Sequence, residues 1–94
     1  MTQTQRDQLI QGLLQLASAI ERREPNRAIV AVLQANQIHC HGAIAEQAGP
    51  RQELLRHFIQ ALDTWAKVWP QMGAREEFRA AVAREARQWA ARLK

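Results

Sequence analysis

The sequence predicts an all-α fold, a four-helix up-down bundle, from the placing of its helix breakers, the apolar stripes between them and its composition. Pro25, Gly49-Pro50 and the segment from Pro70 to Gly73 divide the 94 residues into four stretches of similar length. Proline fits the first turn of a helix and glycine fits just past its end, so these positions read as joints. Helix formers (Ala, Gln, Glu, Arg, Leu) dominate, and no stretch alternates with period two as a strand would. The predicted helices cover about residues 4–23, 26–48, 51–69 and 74–93. All belong to one domain, 1–94.

The first helix places Leu9, Ile10, Leu13, Leu14, Leu16, Ala17 and Ile20 on one side and Gln8, Gln11, Gln15, Ser18 and Arg22 on the other. Thr2 or Thr4 is its natural cap. The second, started by Pro25, turns Ile29, Val30, Leu33, Cys40, Ile44 and Ala48 inward, with Gln37 among them, and Gly49 is its expected stop. It also carries a second stripe of Ala31, Ala35, Ile38, Gly42 and Ala45. A helix apolar on two sides is central to its own fold or covered by another chain. The alternative is a break near 38–42, where two histidines and Gly42 follow Asn36.

In the third helix Leu55, Phe58, Leu62, Trp65 and Trp69 step by 3, 4, 3 and 4 and so share one seam. Each such side chain, once buried, contributes roughly 1.5–3 kcal/mol, which makes this helix the expected spine of the core. Pro70 is its expected end. In the fourth, Phe78, Val82, Ala86, Trp89 and Leu93 face inward, while Glu76, Glu77, Arg92 and Lys94 suit the helix dipole.

Composition narrows the function. Apolar residues make up 47% of the chain, which excludes a disordered segment. The single cysteine excludes an internal disulfide framework and fits a reducing cytoplasm. The polar first residues lack the pattern of a secretion signal, and the longest apolar run, Ala28 to Leu33, falls far short of a bilayer span. A cytoplasmic location without membrane contact is therefore expected. The formal charge is +4, and all of the excess lies after Gly49, where nine basic residues face five acidic ones. A basic balance favours nucleic acid or acidic partners. An Arg- and Ala-rich genome accounts for the same bias.

No catalytic constellation emerges, and no cofactor or metal site is expected. His39, Cys40 and His41 are zinc-ligand types, with His57 as a further candidate. Neighbouring helical side chains diverge by about 100°, so three in a row cannot converge on one ion. The same divergence denies Cys40 a positioned base. The four glycines are isolated, which excludes a phosphate-binding loop. On the fourth helix Arg75, Arg79, Arg84, Arg87 and Arg92 spread around the axis among glutamates, and no exposed aromatic lies between them to stack on bases.

The run Ile44-Ala45-Glu46-Gln47-Ala48-Gly49, followed by Leu55 and Phe58, resembles the helix-turn-helix of bacterial repressors, including the TetR-type regulators. The resemblance covers residues 39–58. It implies DNA binding, with Arg51, Gln52, Arg56 and Gln60 facing the groove or its phosphates. Three departures separate it from the family: Pro50 takes the apolar turn position and Arg51 that of the small polar cap; the apolar stripe runs on to Trp69; and the segment before Ile44 is short for the family's first helix.

The favoured expectation is a non-enzymatic bundle that works through protein–protein interaction, as an adaptor, small chaperone or regulatory subunit. It would associate as a homodimer along Ala31, Ala35, Ile38, Gly42 and Ala45. The alternative is the DNA-binding regulator.

Overall fold

A computed structural model describes residues 2–94. It contains four helices, α1 (Gln3–Glu21), α2 (Asn26–Ile44), α3 (Gly49–Met72) and α4 (Glu76–Leu93), and no strand among the described residues. The longest, α3, has 24 residues, about 36 Å at 1.5 Å per residue, and the molecule's long axis measures 37 Å. The helices therefore lie along a common axis as a four-helix bundle, with α1 packed on α2 and α4, and α2 on α3.

Local chemistry sets each end. Thr2 and Gln5 form a capping box: the Thr2 hydroxyl accepts from the Gln5 amide, and the Gln5 side chain accepts from the Thr2 amide. At the other end of α1 the Glu24 amide donates to Ala19 O and the Arg23 amide to Ile20 O, the pairing of a Schellman turn. That turn needs a left-handed residue, and Arg23 supplies it at φ 58°.

Four points about boundaries are decided. The continuous reading of the second helix holds through Gly42, and the alternative break at 38–42 is absent. Instead α2 stops at Ile44, four residues early, and Ala48 is exposed as the cap of α3 rather than inward. The turn is set by Gly49, left-handed at φ 64°, just before Pro50, whose ring disfavours a helical residue ahead of it. Third, Pro70 does not end α3, which continues to Met72. So near the terminus proline removes only the bond to Ala66 O, and the Gly73 amide still closes the last turn on Trp69 O at 2.8 Å. Fourth, α1 ends at Glu21 and α4 starts at Glu76, after an extended Arg75.

The core joins two kinds of packing. On the α1 and α2 side it is aliphatic: Leu9, Leu13, Leu16 and Ile20 share one buried cluster with Ile29, Leu33 and Cys40. Asn36, only 1% exposed, donates its amide to Gly12 O at 3.1 Å and to Val32 O at 3.0 Å. A Cβ on residue 12 would stand 2.1 Å from Asn36 Oδ1, so only glycine admits this contact.

Between α3 and α4 the core is aromatic. Trp89 stacks on Phe58 (centroids 4.4 Å apart, planes 16° apart) and on Trp65 (4.9 Å, 12°). Phe58 and Trp65 lie two turns apart, about 10.5 Å along α3, and Trp89 fits the slot between them. Trp69 meets Phe78 at 5.5 Å and donates its indole N–H to Asn26 Oδ1.

A buried cation ties the ends together. Arg79, 7% exposed, donates to Gly73 O and to Ile20 O at 2.7 Å each, and its guanidinium sits 5.6 Å from the Trp69 ring. Those carbonyls belong to the C-terminal ends of α3 and α1, where the helix dipoles are negative, so the charge is compensated without a carboxylate.

Candidate interaction surface on helix α2

Helix α2 packs Ile29, Leu33, Asn36, Cys40 and Ala43 into the core, a stripe with the 3-4 spacing of an amphipathic helix. Its opposite side is bare. Ala31, Ala35, Ile38, Gly42 and Ala45 are all exposed, and Ile38, at 70%, is the large hydrophobic residue that the fold leaves in solvent. At 100° per residue the five fall within an arc of about 80° and extend about 21 Å along the axis. Because the coil is unbroken and straight through Gly42, the stripe stays on one side.

The face is also free of charge. Neither Ala28 to Ala45 nor Gln8 to Ile20 contains an Asp, Glu, Lys or Arg. Exposed neighbours of the stripe are Gln34, His39 and His41 on α2 and Gln8, Gln11 and Gln15 on α1. A shallow groove of about 200 Å³ runs between the two helices, lined by Gly12, Gln15, Ala31, Val32, Ala35, Asn36 and His39. At its buried edge Asn36 Oδ1 has no hydrogen-bond partner. The gap in charge was readable in the sequence as two uninterrupted runs; the Gly12–Asn36 contact was not, because it joins residues 24 apart.

The other candidates are placed as follows. Cys40 is buried, and desolvation pushes its thiol up to about 12, so it is protonated and poorly nucleophilic at neutral pH. His39 and His41 point outward on either side of it. Among the described residues no group of three His, Cys, Asp or Glu side chains is placed to hold a metal ion.

Of the residues suggested by the repressor resemblance, Arg51, Arg56 and Gln60 are exposed and Gln52 is half-buried. Gln52 spends its amide on Gln47 O, and Arg56 lies 3.8 Å from Glu53. By helical position the four span about half the circumference of α3. Contacts between α2 and α3 run from Asn26–Trp69 to Gln37–Asp63, and the connecting turn adds Gln47–Gln52. That is side-by-side antiparallel packing, whereas the two helices of a helix-turn-helix cross at about 90–120°. Within the pair, hydrogen bonds from Lys67 first and Gln37 second hold the Asp63 carboxyl below its usual range.

No helix of the structure is long and apolar enough to cross a membrane. No protein-family model matches the chain, and no curated protein or solved structure matches it either.

Proposed function

We propose that the protein is a non-enzymatic interaction module of the cytoplasm, an adaptor, small chaperone or regulatory subunit, that associates with a second copy of itself through the uncharged face of α2. The observation that carries this reading is Ile38, 70% exposed at the middle of a charge-free stripe. An isolated exposed apolar side chain is ordinary, but one set in a flat helical face of alanine and glycine offers a site for close helix packing.

Charge supports a second copy as the occupant. Two chains of charge +4 repel, and around a twofold axis each residue near the axis meets its own counterpart. An isologous contact therefore favours a surface without ions, and this side of the molecule has none. With α1 and α2 about 8–10 Å apart, the charge-free runs extend about 27 Å on α2 and about 20 Å on α1, on the order of 400 Å² per copy. Two such faces bury about 800 Å², the size of a weak, reversible interface.

Light scattering tests the reading. The native protein should weigh twice the 10.7 kDa of the chain, and Ile38→Glu should return it to monomer with its helicity intact. A monomeric native protein, or a variant of unchanged mass, overturns self-association. Tight binding to duplex DNA with a steep salt dependence, lost in Arg51→Ala and Arg56→Ala, would instead install the regulator.

A further inference from the structure

A wider depression than the α1–α2 groove lies on a different flank, where α4 meets the end of α1. It is a trough of about 650 Å³. Glu76, Ala80, Arg84, Arg87 and Ala91 line it from α4. They share an arc of about 80° and span about 22 Å of helix. Ile20 and Ala83 are buried at its base, while Ala80 and Ala91 are exposed along it. Its exposed walls carry three arginines (Arg23, Arg84 and Arg87) against two glutamates, Glu21 and Glu76, while Arg79 is buried beneath them with its donors on Gly73 O and Ile20 O. Both glutamates are already paired, with Arg87 and Arg23. Arg84 forms no ion pair among the described residues.

We propose that this trough is a docking site for an acidic amphipathic helix of a partner protein. Its length fits about four helical turns, and alanines along its bottom let another backbone come close. The base is apolar, which suits leucine or isoleucine side chains better than a sugar–phosphate strand, and no aromatic among the lining residues offers a surface for stacking bases. The uncommitted Arg84, beside the paired Arg23 and Arg87, favours glutamate or aspartate flanking those apolar anchors. A second copy of this chain fits less well, because the middles of α1 and α2 carry no acid and Asp63, at the middle of α3, is already paired with Lys67. The site is thus separate from the α2 face, and the chain would join two partners at once.

Isothermal titration calorimetry on the full chain tests the site. The probe is an 18-residue peptide with leucine and alanine at helical spacing and glutamate elsewhere. A scrambled peptide of the same composition and a duplex DNA of similar length serve as comparisons. The ordered peptide should bind at least tenfold more tightly than the scrambled one. Arg84→Glu and Ala80→Glu, both at exposed positions, should each weaken it at least tenfold with circular dichroism unchanged. Arg51→Glu, the same charge change on α3, should leave it within twofold, as should Ile38→Glu, which separates this site from self-association. Equal binding of both peptides, or equal loss in Arg51→Glu, would overturn the proposal by reducing it to net charge. Preferential binding of the DNA, lost in Arg84→Glu, would overturn it in favour of a phosphate-binding surface.

Discussion

The two hairpins of this bundle solve the same packing problem in opposite ways. The first, α1–α2, packs aliphatic side chains, approaches closely at Gly12 and Asn36, and has no phenylalanine or tryptophan. The second, α3–α4, holds all five phenylalanines and tryptophans and fills the space between its helices with rings. Their surfaces differ as well. On α1–α2 the charges gather at the bundle's ends, Arg6-Asp7, Glu21 to Arg27 and Glu46, whereas α3–α4 is charged along its flanks. Two separate demands are met: one half presents a dry, uncharged side, and the other anchors the fold and keeps the chain solvated.

Changing one member of each packing type breaks the comparison most directly. Trp89→Ala removes the ring between Phe58 and Trp65 and leaves a cavity that neither can fill. It should cost about 3–5 kcal/mol in urea unfolding, the largest effect of any single truncation here. A loss under about 1 kcal/mol would mean that the stack is not the anchor of α3 and α4.

The α1–α2 contact should respond to the smallest possible addition. Gly12→Ala forces a methyl onto Asn36 Oδ1 and should cost about 1–3 kcal/mol through displacement of the helices. In the double variant with Asn36→Ala the penalty should shrink, giving a coupling energy of about 1 kcal/mol. Additive losses would show that the two residues do not meet.

The smallest effect concerns the turn that joins α1 to α2. Arg23 holds a left-handed conformation that glycine adopts without strain, and its exposed ion pair with Glu76 contributes little. Arg23→Gly should therefore be neutral or stabilising, by up to about 1 kcal/mol, with the melting temperature as readout. A marked fall in stability would mean that the Glu76 contact matters more than the backbone.

The four helices were legible because each depends on local signals: a stripe of apolar residues and a breaker at its end. The seam from Leu55 to Trp69 needed nothing beyond spacing, whereas the choice of Thr2 over Thr4 as the cap needed the Gln5 contact. Boundaries that depend on tertiary or dihedral detail were not legible. Pro70 reads as a stop, yet costs one hydrogen bond so close to the terminus that α3 continues. Ala48 has the periodicity of a core residue, but the Gly49-Pro50 geometry turns the chain before it. The second stripe of α2 was visible as composition, although its exposure depends on which side the other helices cover. Arg79 was the least legible of all. As one arginine among many on α4 it looked solvated, and only the meeting of two helix ends explains why it is inside.

The confinement of the aromatic rings to α3 and α4 has an optical consequence. Every indole, Trp65, Trp69 and Trp89, belongs to the second hairpin, so intrinsic fluorescence senses the first only where it touches a ring, as Asn26 does at Trp69. Backbone ellipticity sums over both. Superimposable emission and ellipticity curves would identify a single cooperative unit, and an emission curve that lags would identify the ring-filled half as the last to let go.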